Sequence, residues 1–178
     1  MMICVAFLRG INSGKNPTVK METVRKVFAD LGFRNITTVL ASGNVVFEAD
    51  QTDKNALAES LERALSLALS YNVAVIIRTK DELTRLVKSN PFKDVMVIPQ
   101  TRLYVTLLKG SLKPSLKLPY HNKEKGYTIL EIVDNAICSV VDLSAGTTPD
   151  LMSALDKEFG KNLTTRNWNT IKKILATT

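Results

Sequence analysis

Apolar and polar positions follow two different periods along the first 80 residues. The run ICVAFL at residues 3–8 is continuously apolar, and NVAVIIRT at residues 72–79 has a continuous apolar stretch at 73–77. Both runs predict buried strands. Apolar residues recur at helical spacing across 21–31 and again across 57–68. Between these two predicted helices, the runs NITTVLA and NVVFEA predict a hairpin that turns at Ser42-Gly43. The order β-α-β-β-α-β is the split-βαβ, ferredoxin-like pattern.

The remaining residues partly repeat this alternation. The run RLYVTLL predicts a strand, and YTILEIV with AICSVVDL predicts a hairpin that turns at Asp134-Asn135. A helix is expected from Pro149 to Phe159, and a final helix is expected to start at Thr164 or Thr165 as its N-cap. Before these elements, Thr79 and Glu82 have the spacing of a capping box.

These patterns predict an α+β protein with two ferredoxin-like (split βαβ) halves and antiparallel or mixed sheets. Residues 1–80 would form a ferredoxin-like βαββαβ half. Residues 81–178 would form a second α+β half that ends in a C-terminal helix.

The predicted topology places several polar motifs at one end of the first sheet. In a βαββαβ sheet the third strand lies antiparallel beside the first, so the end of strand one lies near the start of strand three. The first of these segments carries RGIN, with Arg9 and Asn12, and the second carries SGN, with Ser42 and Asn44. Lys15 and Lys20 follow in the loop and at the start of the first helix. Cations, glycines and amides beside a helix N-terminus are typical of an anion-binding site, and they are equally typical of turns that serve only the fold.

The C-terminal stretch TTRNWNT raises a separate question about charge. If a threonine caps the last helix, Arg166 lies in its first turn, where the helix dipole is unfavourable to a cation by up to about 1 kcal/mol. We therefore expect Arg166 to have an acidic partner or to share an anion with the helix N–H groups. Trp168 is expected to pack in the core, and its indole could also form one wall of a pocket beside Arg166 and Asn167.

The distribution of charge and the small numbers of cysteine and histidine limit the classes of function that the chain could have. The net charge of +7 is spread along the chain, and its densest cluster comprises Lys109, Lys113, Lys117, Lys123 and Lys125. This cluster is either a solvated loop or a nucleic-acid contact. Cys4 and Cys138 lie in apolar runs and are expected to be small buried hydrophobes. The single histidine, His121, excludes a His-rich metal site, so no metal is expected.

Two well-known nucleotide-binding patterns do not fit. GINSGKN has three residues between Gly10 and Gly14, where a P-loop requires four, and Asn16 replaces the magnesium-binding Ser or Thr. An RNA-recognition module would place stacking aromatics on its two central strands, where only Phe7 and Phe47 occur, and both are expected in the core. No apolar run approaches the roughly 20 residues of a membrane span, and the start has no signal-peptide pattern, so we expect a cytoplasmic protein with no membrane partner.

The motifs FLRGINSGKN, KMETVRKVFADLGF, LASGNVVFE and TTRNWNTIKKIL together resemble the bacterial family known as domain of unknown function 1697. The resemblance runs from residue 5 to near the end of the chain. It implies a two-part α+β fold with ferredoxin-like halves, and it implies no activity, cofactor or catalytic residue.

We therefore predict a small anionic ligand, carrying phosphate or carboxylate, at an edge formed by the RGIN, SGN and TRNW motifs, with no cofactor. Nucleic-acid association and a purely structural or interaction role are the alternatives. An enzyme acting on a nucleotide-like or acyl substrate is a further hypothesis, for which the predicted edge offers no general base. The predicted ligand-binding residues are Arg9, Asn12, Lys15, Lys20, Ser42, Asn44, Arg166 and Asn167.

Overall fold

The structure is a computed structural model that describes residues 1–14, 16–50, 53–110, 116–144, 151–160 and 162–178. The chain divides into two compact units. The first comprises Met1–Leu83 with Lys173–Thr178, and the second comprises Thr84–Lys172.

The first unit contains a four-stranded antiparallel sheet in the order β2-β3-β1-β4. This is the strand order of the predicted βαββαβ pattern. The elements of this part of the chain are β1 (Met2–Arg9), α1 (Met21–Asp30), β2 (Arg34–Thr38), β3 (Asn44–Ala49), α2 (Lys54–Leu69), β4 (Ala74–Thr79) and α3 (Lys80–Ser89).

One face of this sheet packs against α1 and α2. Alternate β1 residues Cys4, Ala6 and Leu8 belong to the same buried cluster as Phe28 and Leu61 of the two helices. Three phenylalanine rings join α1 to β3, with centroid distances of 4.8 to 6.0 Å. The other face is covered as well at β4, because the four consecutive residues Val75, Ile76, Ile77 and Arg78 are buried. A strand buried on both faces explains the continuous apolar run that predicted β4.

Local hydrogen bonds fix the ends of the helices. The Asp53 carboxylate accepts from the N–H groups of Asn55 and Ala56 at the start of α2. The predicted capping box is confirmed, because the Thr79 N–H donates to Glu82 Oε2 at 2.8 Å and the Glu82 N–H donates to Thr79 Oγ1 at 3.1 Å. The Glu82 carboxylate also pairs with Lys54, which ties α3 to α2.

The second unit contains a five-stranded antiparallel sheet in the order β6-β7-β8-β5-β9. The order β7-β8-β5-β9 repeats the order of the first sheet. Among the residues described between β5 and β7, the short strand β6 is found where the first unit has a helix. The elements of this part of the chain are β5 (Thr101–Leu108), β6 (Tyr120–Asn122), β7 (Tyr127–Val133), β8 (Ala136–Asp142), α4 (Leu151–Phe159), β9 (Leu163–Asn167) and α5 (Trp168–Leu175), and the last three residues of α5 belong to the first unit.

The core of the second unit forms between α4 and one face of its sheet. Leu151 and Leu155 of α4 cluster with Leu108, Ile137 and Leu163 of the strands. The hairpin turn predicted at Asp134-Asn135 is confirmed, since both residues adopt positive φ. The predicted start of the α4 segment at Pro149 lies outside the described residues.

The prediction for the start of the last helix was wrong. Thr164, Thr165 and Arg166 belong to β9, which pairs with β5 as far as Asn167. The helix α5 begins at Trp168. Asn167 occupies the capping position, because its side-chain Oδ1 accepts from the Asn169 N–H at 2.9 Å. Pairing with β5 keeps Arg166 out of the first helical turn, so the unfavourable dipole interaction predicted for it does not arise.

Candidate functional site

The end of β1 and the start of β3 meet as the topology predicted. We call residues 9–12 and 42–44 together the RGIN–SGN edge. Phe7 is the register partner of Asn44, and the Leu8 N–H donates to the Gly43 carbonyl at 2.8 Å. The two motifs are therefore neighbours at one end of the first sheet.

The Asn12 side chain joins two loops of this edge. Its Nδ2 donates to the carbonyls of Val19 at 2.9 Å and Ala41 at 2.8 Å, and its Oδ1 accepts from the Val19 N–H at 2.6 Å. Asn12 also adopts a left-handed conformation, with φ of 51°. Three hydrogen bonds from one amide fix the loop after β1 against the loop before β3.

Asn44 has a similar role at the start of β3. It is fully buried, and its Nδ2 donates to the Val39 carbonyl at 2.8 Å and to Ser42 Oγ at 3.1 Å. Ser42 is therefore tied to the same turn. These bonds show what the predicted ligand-binding amides do in the fold, and their contact with a ligand stays a prediction.

Gly43 is required by the packing of its own chain. Its φ is +76°, and a Cβ at this position would lie 2.9 Å from Leu8 Cβ and 3.1 Å from Ile11 Cβ. Both distances are shorter than van der Waals contact. The close packing of Gly43 against Leu8 and Ile11 is therefore sufficient to explain why this position is a glycine, without a ligand.

The structure describes two of the three cations that were predicted to lie near this edge. Arg9 is half-buried at the end of β1, and Lys20 is exposed at the N-cap position of α1, where it makes no side-chain capping bond. Lys15 lies outside the described residues. The edge thus combines cationic side chains with a loop whose described amides are held by backbone carbonyls.

Arg166 is a buried cation of the second unit. Its side chain is 9% exposed, and its Nη1 donates to Thr164 Oγ1 at 2.8 Å and to the Thr165 carbonyl at 2.9 Å. Desolvation by burial lowers the pKa of Arg166 to about 10. This pKa still leaves the guanidinium charged at neutral pH. The RGIN–SGN edge belongs to the first unit and Arg166 to the second, so the shared site of the three motifs stays a prediction.

The second unit has a cleft of about 540 Å³ at the start of α5, which we call the α5 cleft. This volume lies within the range of small-molecule sites. Its apolar lining residues are Phe92, Val97, Leu103 and Trp168. Its polar and charged lining residues are Asn90, Thr101, Arg102, Asn167, Asn169 and Lys172.

The charged side chains described in the lining of the α5 cleft are all cationic. Among the described residues that line it, two are cations, Arg102 and Lys172, and none is acidic. The N-terminus of α5 adds the positive end of a helix dipole at the same place. Asn167 connects this cleft to the predicted site residues, because it both caps α5 and lines the cleft.

Trp168 packs in the core as expected, and it also lines the α5 cleft. It is 7% exposed, and its ring lies edge-on to Phe92 with a centroid distance of 5.2 Å. This ring contact packs the start of α5 against Phe92. Arg166 is not among the residues that line this cleft, although it precedes Asn167 in the chain.

Most cleft residues were missing from the prediction made from the sequence. Phe92 and Val97 precede the predicted strand RLYVTLL and Arg102 begins it, and nothing in this part of the sequence indicated a site. Lys172 carried a usable signal, because it follows Trp168 by four residues and helical geometry places such a pair on one face.

The described residues contain neither a cluster of metal-binding side chains nor a helix that could span a membrane. No group of three or more His, Cys, Asp or Glu residues could hold a metal ion in the described part of the chain. No helix within the described ranges is long and apolar enough to cross a membrane. Cys4 and Cys138 are buried free thiols, as expected.

The fold and the cleft define an α+β protein with two antiparallel sheets that share a ferredoxin-like strand order. The chain belongs to a family described as "Protein of unknown function (DUF1697)", whose model matches residues 1–137. This match includes the RGIN–SGN edge and the segment that carries Phe92, Val97 and Arg102.

A solved structure has a similar fold along the whole chain. It is that of conserved bacterial protein SP0830 from Streptococcus pneumoniae, with a TM-score of 0.70 and 18% sequence identity. The similarity covers 99% of this chain and 98% of that chain, and at this identity it shows the fold alone. No curated protein matches the sequence.

Proposed function

We propose that this protein binds a small molecule carrying a phosphate or carboxylate group, and that the α5 cleft is its site. The observation that carries the proposal is the composition of the cleft. Two cations and several amides line a volume of about 540 Å³, and none of its described lining residues is acidic. A carboxylate or phosphate is the partner that such a lining favours.

The proposed roles follow from the positions of the residues. Lys172 is exposed on α5 and would supply a mobile cation to the ligand. Asn167 and Asn169 lie at the first turn of α5, where backbone N–H groups and the helix dipole also favour an anion. Arg102 is half-buried and its guanidinium is partly engaged, since Nη1 donates to the carbonyls of Pro99 and Thr101.

The RGIN–SGN edge is the second candidate for the anion-binding site. It offers Arg9 and Lys20, but the described amides of Asn12 and Asn44 are bonded to backbone carbonyls. The α5 cleft therefore has the stronger support.

A thermal-shift screen of nucleotides, sugar phosphates and small dicarboxylates tests the proposal. A ligand at 100 times its dissociation constant stabilises the native state by about 2.7 kcal/mol, which is roughly 5–10 °C for a chain of this size. The shift should be lost in Lys172→Ala and kept in Lys173→Ala, whose exposed lysine is the next residue along the same helix.

Three other outcomes would contradict the proposal. Loss of the shift in Arg9→Ala, with Lys172→Ala unaffected, would move the site to the RGIN–SGN edge. Binding only to nucleic acid, with an affinity that falls steeply as salt rises, would favour the lysine cluster at residues 109–125. No shift with any compound would favour a structural role.

A further inference from the structure

Three consecutive large apolar side chains are exposed beside the α5 cleft. We call Met96, Val97 and Ile98 the MVI segment; their exposed fractions are 83%, 63% and 45%. Single exposed apolar residues are common on protein surfaces, whereas a contiguous exposed group indicates a contact with another molecule.

Hydrogen bonds hold the MVI segment in a fixed shape. Thr101 Oγ1 accepts from the Ile98 N–H at 3.2 Å, and the Thr101 N–H donates to the Ile98 carbonyl at 2.9 Å. Arg102 Nη1 donates to the Pro99 carbonyl at 2.7 Å. The segment is therefore preorganised by residues that themselves line the cleft, and presenting its apolar side chains needs no rearrangement.

Val97 is the residue of the segment that lines the cleft. With Leu103, Phe92 and Trp168 it makes up the apolar part of the lining. The polar part comprises Thr101, Arg102, Lys172 and the three asparagines. A bare inorganic anion would contact the polar lining and leave Val97 in water.

We infer that the ligand of the α5 cleft is an amphipathic anion, with a phosphate or carboxylate head held by Lys172 and a ring-sized apolar body packed on Val97. This inference rests on the proposed function and names its ligand class. Aryl phosphates and nucleotides have this chemistry, whereas inorganic phosphate and short dicarboxylates lack the apolar body.

Isothermal titration calorimetry with phenyl phosphate and methyl phosphate tests the inference, because the two compounds share a phosphate head and differ in apolar body. Covering a phenyl ring on the apolar part of the lining should make phenyl phosphate bind at least tenfold more tightly than methyl phosphate. Val97→Ser should weaken phenyl phosphate about fivefold by removing apolar contact, and it should leave methyl phosphate unchanged.

Met96→Ser is the matched control. Met96 is the more exposed neighbour in the same segment and does not line the cleft, so its substitution should leave both affinities unchanged. Lys172→Ala should weaken both phosphates, since it removes the cation that holds the shared head.

The outcomes separate the inference from the proposed function. Equal affinity for the two phosphates, with both weakened by Lys172→Ala, would overturn the amphipathic ligand class and leave the anion site standing. A preference for phenyl phosphate that Val97→Ser does not change would likewise overturn the contact proposed between the apolar body and Val97. Absence of binding by both compounds at millimolar concentration, together with no thermal shift from any compound of the screen, would overturn the proposed function and the inference together.

Discussion

Replacing Gly43 by alanine tests whether the glycine of the SGN motif serves the fold or a ligand. The added Cβ would lie 2.9 Å from Leu8 Cβ and 3.1 Å from Ile11 Cβ, and neither of these atoms is the end of a flexible side chain. The substitution therefore combines overpacking, which costs about 1–3 kcal/mol, with alanine in a left-handed conformation, which costs about 1–2 kcal/mol.

Gly32→Ala is the matched control for backbone strain. Gly32 also has a left-handed backbone, with φ of +82°, but a Cβ there meets nothing within 4 Å. We expect a loss of about 2–5 kcal/mol in the free energy of unfolding for Gly43→Ala and about 1–2 kcal/mol for Gly32→Ala.

Urea unfolding followed by far-ultraviolet circular dichroism measures both losses. The difference between the two variants isolates the contact with Leu8 and Ile11. Equal losses would refute the packing argument, and the reason for a glycine at position 43 would then have to be sought in a ligand.

Three further predictions concern the other groups that stabilise the fold. Asn12→Ala should lower the free energy of unfolding by about 3 kcal/mol, because three hydrogen bonds are lost at about 1 kcal/mol each. The control Asn16→Ala removes an exposed hydrogen bond to the Gly10 carbonyl and should cost about 1 kcal/mol or less. Similar losses for the two variants in urea unfolding would contradict this prediction. Burial by itself raises the pKa of Glu82, but the Lys54 ammonium and the Thr79 N–H outweigh burial, so the pKa of Glu82 is lowered. The contribution of this carboxylate to stability is therefore present at neutral pH and is lost as the pH falls below about 4.5. In a plot of the free energy of unfolding against pH, Glu82→Gln should reduce the loss of stability at acid pH, whereas the exposed control Glu59→Gln should leave it unchanged. Burial raises the pKa of the Cys138 thiol to about 12 and that of the Cys4 thiol to about 11. Neither thiol should therefore react with Ellman's reagent at pH 8 until urea unfolds the chain. Rapid labelling of the native protein would contradict the burial of both thiols.

Periodicity and topology together predicted the first unit well. Each helix and strand of the βαββαβ pattern leaves a local signal, and the handedness of the crossover then places β3 beside β1. The meeting of RGIN and SGN followed from that reasoning, without any knowledge of side-chain contacts. What Asn12 and Asn44 bind could not be predicted, because their partners are backbone carbonyls whose positions depend on the folded loops.

The start of α5 and the α5 cleft depended on contacts between distant segments. TTRNWNT has good N-cap residues at Thr164 and Thr165, but pairing with β5 extends β9 to Asn167, and that pairing has no local signal. The cleft likewise joins α5 to the segment around Val97 and Arg102, about 70 residues earlier in the sequence. Only the spacing of Trp168 and Lys172 could have indicated a shared face from sequence.

The most direct test of anion binding in the α5 cleft is a titration with phenyl phosphate followed by the fluorescence of Trp168. Trp168 is the single tryptophan of the chain and lines the cleft, so its emission reports on this site. We predict a saturable change whose midpoint moves to higher concentration in Lys172→Ala and stays unchanged in Lys173→Ala. A midpoint that is the same in both variants, or an emission that does not respond to phenyl phosphate, would contradict the assignment of the site.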